Sequence, residues 1–181
     1  MTLNLGQVPI TGTSRDPRIA RVKTEQGSTA FELGRSFRAY TQKSLGNDET
    51  YALEIVTPIN VDITSIVMNV TSGEVNYQGI VLPDSATGFD EVRPVFPLNA
   101  RTDVVGPAYV PQLTVTGGGV IVGGTEIEQA LIRTGNNNQR ANIVEETQAH
   151  RGAAPGTYYI LLTAGNQGGD FTIYSTWEEY P

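Results

Sequence analysis

The residues of this chain that could do chemistry are few. The sole imidazole is His150, in the loop-like stretch "AHRGAAPG", and there is no cysteine among the 181 residues. That leaves no thiolate nucleophile, no disulfide framework and no histidine- or cysteine-rich metal site. A serine nucleophile needs a sharp strand-to-helix elbow between two glycines. The nearest candidate, Ser36 in "GRSFR", lacks the second glycine and falls within a strand pattern. Paired carboxylates suit glycoside hydrolysis, and the pairs available are Glu126 with Glu128, Glu145 with Glu146, and Glu178 with Glu179. Adjacent residues on a strand point to opposite faces, so only Glu126 and Glu128 would converge locally. A polar outer strand face accounts for all three pairs equally well. Gly117, Gly118, Gly119, Gly123 and Gly124 suggest a phosphate loop, but no G-x-G-x-x-G can be drawn through them and no lysine follows. Such glycines serve tight turns and positive φ instead. No D-x-[DN]-x-[DN]-G calcium loop is present, and the glycosylation triplet Asn69-Val70-Thr71 lies inside a strand pattern. The sequence therefore predicts no catalytic residue, no metal site and no cofactor, and the chain reads as a non-enzyme. Tyr109, Tyr158, Tyr174 and Tyr180 are eligible to stack on sugar, although tyrosine is also a good strand residue.

The elements that would carry these residues are strands. Glycine is abundant at 20 residues, charged residues are sparse at 17 %, and Thr, Val, Ile and Tyr recur throughout. That is the composition of an all-β protein with many turns. Alternation of period two runs through Phe31 to Ala39, Tyr51 to Ile55, Ile63 to Val70 and Val75 to Val81. "TSGE" between the last two reads as a hairpin turn. "VRPVFPLNART" holds two prolines within Val92 to Thr102, which places it at a sheet edge or in an extended connection. "EIEQALIR" has good helix formers, but "RTGNNNQR" stops it within two turns and its neighbours are β, so strand is preferred. The clearest part is the end, where "GTYYILLTA" and "DFTIYSTWEEY" flank "GNQGG" and read as a hairpin. There Phe171, Ile173 and the only tryptophan, Trp177, share one side and should anchor the core. The expectation is an all-β, antiparallel β-sandwich of jelly-roll type over residues 28–181, behind an extended N-terminal arm, 1–27.

Charge separates those two parts. The first 27 residues hold Arg15, Arg18, Arg21 and Lys23 against Asp16 and Glu25, a net of +2, so the rest of a chain of net −7 carries −9. The arm could pack along an acidic neighbour, including another copy of the same chain. A net charge of −7 argues against nucleic acid as a partner, and no apolar run is long enough to cross a bilayer. The start, "MTLNLGQVPITG", lacks the basic and apolar regions of a secretory signal.

Two stretches carry a family resemblance. "VRPVFPLNARTD" resembles the Pro/Leu-Asn-x-Arg-Ser/Thr segment of small tailed-bacteriophage virion proteins, and "PGTYYILLTAGNQGGDFTIYSTWEEY" resembles their closing hairpin. The matching positions are Leu98, Asn99, Arg101 and Thr102, then Pro155, Tyr158 or Tyr159, Asn166, Trp177 and Glu179. The chain departs from the pattern at Ala100, where a polar residue is usual, and in its glycine-rich insert at 117–124. The resemblance covers about the C-terminal half and has no catalytic content. It implies a virion structural protein, with a capsid decoration or cement role favoured, the major capsid protein or other virion subunits as partners, and a homo-oligomer within the particle. A neck or tail component is the alternative within that setting, and a carbohydrate-binding host-attachment module is the alternative outside it. Asn99 and Arg101 read as structural locks, because Asn bonds backbone in turns and Arg forks onto carboxylates.

Overall fold

Two strands of this chain are far too long to lie straight in a domain of its size. At about 3.3 Å per residue, strands of 22 and 25 residues would reach some 70–80 Å, against a radius of gyration near 16 Å for a chain this long. How they bend decides the architecture. The computed structural model describes residues 2–5, 8–11, 29–99, 109–134, 141–145 and 151–181. Strands β1 (Thr2–Leu5) and β2 (Val8–Thr11) pair only with each other, antiparallel. A single helical turn, α1 (Thr29–Glu32), precedes β3 (Ser36–Leu45) and β4 (Thr50–Thr57). There follow β5 (Asn60–Val81), three short strands β6 (Ser85–Thr87), β7 (Glu91–Val92) and β8 (Val95–Pro97), and then β9 (Thr114–Val122) and β10 (Thr125–Arg133). The chain closes with β11 (Ala141–Glu145), β12 (Arg151–Ala153) and β13 (Gly156–Tyr180). All strands from β3 onward belong to one antiparallel sheet, curled into a half-barrel.

Both long strands turn a corner at the same level. β13 pairs antiparallel with β5 from Tyr159 to Tyr180, with register shifts between Ala164 and Gly169, between Asp170 and Phe171 and between Thr176 and Trp177, the first of them at the corner. Gly73 and Gly168 meet there with φ of +68° and +74°. A Cβ on Gly73 would stand 2.0 Å from the carbonyl oxygen of Gly168, and one on Gly168 would stand 2.6 Å from that of Leu45. Only glycine fits, which is the usual device for bending a sheet at a bulge. β3 and β4 lie end to end along the other side of β13, and their junction meets the same corner. Asp48 N–H donates to Gly165 C=O at 3.2 Å, and Ala164 N–H to Glu49 C=O at 2.9 Å. "TSGE" and "GNQGG" are thus corners in continuous strands, not hairpin reversals. Residues 31–33 also differ from expectation, since Phe31 belongs to α1 and the strand begins at Ser36.

The bend divides the curled sheet into two halves. One half runs β8, β3, the end of β13, the start of β5, then β11 and β12; the other runs β9, β4, the start of β13, the end of β5, then β10. Phe37, Ala39, Val61, Val70, Phe171, Ile173 and Trp177 from the first half share one core with Tyr51, Leu53, Val75, Val115, Ile160 and Leu162 from the second. Tyr51 and Phe171, one from each half, meet at 6.5 Å between ring centroids.

Candidate functional site

The closing strand ends in a buried carboxylate. Glu179 follows Trp177 by two residues and shares its inward parity, so alternation drives a charged side chain into the core. It is 0 % exposed. Its Oε1 accepts Leu113 N–H at 3.0 Å and the Trp177 indole N–H at 3.1 Å, while Gln112 N–H reaches Oε1 at 3.1 Å and Oε2 at 3.0 Å. Its own N–H donates to Arg35 C=O at 3.0 Å. Neutral donors from two segments, residues 112–113 and Trp177, thus offset the cost of burying the charge. Burial, followed by the Glu179 carboxylate, holds the Tyr109 phenol above its ordinary range, and the Arg35 guanidinium sits 5.4 Å over the Tyr109 ring. Glu178 is buried too. It accepts Ser36 Oγ–H at 3.3 Å and Tyr180 Oη–H at 2.6 Å, and that second bond, with burial behind it, pushes the Tyr180 phenol up to about 12.

A second cluster explains the glycine run. Glu91 Oε2 accepts Tyr51 Oη–H at 2.9 Å and lies 3.0 Å from Lys43 Nζ, and the Arg93 guanidinium bonds both Glu91 and the Tyr51 oxygen. Lys43 Nζ and Arg93 Cζ stand 4.9 and 5.6 Å from the Tyr51 ring centroid, within cation–π reach. The donors Lys43 and Tyr51 hold the Glu91 carboxyl below its ordinary range. All of this presses on β9. A Cβ on Gly117 would sit 2.0 Å from Tyr51 Oη, and one on Gly119 would sit 2.5 Å from the Phe89 ring. Glycines 117 and 119 are seats for these side chains.

On the outer face, β8, β3 and β13 bring three aromatic rings together. Tyr40 and Tyr174 are register partners; their centroids lie 6.3 Å apart at 34°. Phe96 lies 6.0 Å from Tyr40 at 13°. Tyr40, Phe96 and Tyr174 are 45 %, 37 % and 44 % exposed. Strand pairing places Val67 next in this row. The flanking rows are Phe96, Arg38, Thr176 and Ser65 on one side and Gln42, Thr172 and Asn69 on the other.

The residues singled out from sequence fall as follows. Phe171, Ile173 and Trp177 are core. Asn99 is buried, and its Nδ2–H donates to Phe31 C=O at 2.8 Å, tying the segment after β8 to α1. Arg101, the arm residues Arg15, Arg18, Arg21 and Lys23, and His150 lie outside the described residues. For Glu126 and Glu128, the one pair that could converge locally, a bulge at 127 breaks the alternation between them, and Glu126 accepts Gln78 Nε2–H at 2.5 Å. Of the four eligible tyrosines, Tyr109 packs on Phe37, Tyr158 donates to Ala154 C=O at 2.9 Å and Tyr180 bonds Glu178, whereas Tyr174 stands in the outer row. No protein-family model matches the chain, and no curated protein matches it.

Proposed function

We propose that this chain is a non-enzymatic structural protein that works by binding neighbours in an assembly, and that the assembly is a tailed-phage particle, with capsid decoration as the favoured place. The observation that carries the structural part is the use made of its carboxylates. Glu91, Asp170, Glu178 and Glu179 each accept hydrogen bonds from distant strands or segments, so they fasten the sheet. The particle as the setting rests on the resemblance in residues 92–103 and 155–181. The fold we read as a jelly-roll-like sandwich whose two layers are the halves of one bent sheet, because both contribute inward faces to a single core. Partners are the major capsid protein, other virion subunits and further copies of the chain, with the basic segment 1–27 packing on an acidic neighbour.

Mass spectrometry and cryo-microscopy of purified particles test the setting. Hundreds of copies on the shell support decoration, a dozen or fewer at one vertex place it in the neck or tail, and absence from the particle overturns the reading. Deletion of residues 1–27 should leave a cooperative melt and weaken attachment. Attachment equal to that of the full chain removes the arm from the mechanism.

A further inference from the structure

We propose that the outer face of β8, β3, β13 and β5 is a binding platform for the pyranose rings of a neutral polysaccharide. A pyranose presents patches of C–H on its faces and a rim of hydroxyls, each both donor and acceptor. It therefore fits aromatic rings bordered by neutral hydrogen-bonding groups. The face has that order, with Arg38 as the one charged group among the described residues of its flanking rows. Tyr40 and Tyr174 form the middle row, with Gln42, Thr172 and Asn69 along one side and Phe96, Arg38, Thr176 and Ser65 along the other, the Phe96 ring reaching to 6.0 Å from that of Tyr40. Among the described residues these three rows contain no carboxylate, in a chain of net charge −7. The next row on one side brings Asp170, whose carboxylate is engaged by Ser72 Oγ–H at 2.6 Å, and the next on the other brings Glu178 and Asp62, of which Glu178 is buried and accepts from Ser36 and Tyr180. Centroid spacings of 6.0 and 6.3 Å are those of offset rings, which leave part of each ring face uncovered. The side chains stand on paired strands rather than loops, so their spacing is fixed before a ligand arrives.

A protein partner fits this face less well. Away from Phe96 at the β8 edge, the apolar row is one side chain wide, with polar rows about 7 Å away on either side along each strand. A protein interface of standard size buries roughly 800 Å² per partner around a contiguous apolar centre. The inference stands apart from the assembly reading, since a sugar platform serves a particle component and a free protein alike.

The test uses the full chain on an array of immobilised oligosaccharides in two arms, neutral hexoses with N-acetylhexosamines in one and uronate-containing chains in the other. Variants Tyr40→Ala, Tyr174→Ala and Tyr174→Phe are compared, each checked by thermal melt. The expected result is retention in the neutral arm, about tenfold weaker in each alanine variant and nearly unchanged in Tyr174→Phe, as loss of one ring contact predicts. A tyrosine difference spectrum of the unmodified chain on adding the retained oligosaccharide provides the same evidence should a variant misfold. No retention in either arm overturns the proposal, as does retention that ignores both alanine changes. Retention of uronates alone, through Arg38, overturns the neutral assignment. A dimer dissociated by the alanine variants, with no sugar bound, makes the face a contact between copies instead.

Discussion

Glu179 provides the sharpest test of how this fold is held. Replacement by alanine strips the acceptor from Leu113 N–H and the Trp177 indole N–H, both inside the protein, and from Gln112 N–H at its margin. An unsatisfied buried donor costs about 1–3 kcal/mol. Two such donors, offset partly by release of a desolvated charge, give a loss of about 4 kcal/mol, a large share of the 5–15 kcal/mol typical of a domain. Glutamine behaves differently. Its Oε1 can keep Leu113 and Trp177, because both bonds go to the same oxygen, and only the charge assistance and the second contact to Gln112 are lost. That change costs about 2 kcal/mol. Urea unfolding followed by fluorescence reads the site directly, since Trp177 is the only tryptophan and is itself one of the donors. For a chain of this length the alanine variant should melt roughly 8–16 °C lower. If alanine shifts stability by less than about 0.5 kcal/mol, or if alanine and glutamine are indistinguishable, the carboxylate is not the fastener described and the account of buried donors fails.

Four further outcomes follow from the same contacts. Gly73→Ala should abolish soluble expression or cost well over 3 kcal/mol, because it combines positive φ with a backbone oxygen 2.0 Å from the new carbon; Gly46→Ala, which would meet only the Glu49 carboxylate at 3.3 Å, is the mild control. Gly117→Ala should displace the Tyr51 hydroxyl and break the Glu91 cluster, seen as a changed tyrosine absorption on alkaline titration. The folded-state pKa values of Glu91 and Asp170 lie below their ordinary 4.5 and 3.8, so the unfolded chain binds more protons; stability is present above those values and falls as pH drops through the lower folded ones, and urea midpoints from pH 6 to 3 should fall less steeply in Glu91→Gln. Removing residues 170–181 deletes the strand paired to both β3 and β5 with Phe171, Ile173 and Trp177, and circular dichroism should then show no cooperative melt.

Strand identity was legible in this sequence where burial imposes alternation, as in Phe171, Ile173 and Trp177, and in the preference for strand over helix at Glu126 to Ile132, which lies within β10. Direction was not. A short polar run with glycine between two alternating stretches permits a reversal or a corner, since both use positive φ. At "TSGE" and "GNQGG" the choice falls to the corner because Gly73 and Gly168 close on each other across a strand pair. That contact joins residues 95 positions apart, so neither run contains the information alone. The bulge at 127 is of the same kind: it shows in the pairing of β10 with β5 and not in "EIEQ".

The two candidate sites differ in what parity could disclose. Glu179 lies on the Phe171, Ile173, Trp177 parity, so a carboxylate aimed inward was readable, and an inward carboxylate requires donors. What was hidden is their source, two backbone amides 66 and 67 residues upstream. The outer row is the reverse case. Tyr40 and Tyr174 alternate outward on their own strands, but their adjacency depends on a register that runs through ten consecutive pairs from Gly169 with Leu45 to Glu178 with Ser36. A slip of one residue would turn one tyrosine toward the core and separate the pair. The inward face fixes the register, because Phe37 must meet Trp177. The exposed platform is therefore positioned by the buried anchor behind it, and Trp177→Ala, if it folds at all, should disturb the Tyr40–Tyr174 contact on the far side of the sheet, detectable as altered tyrosine ring shifts in NMR. Unchanged shifts in a folded variant would mean that the outer row holds its own register.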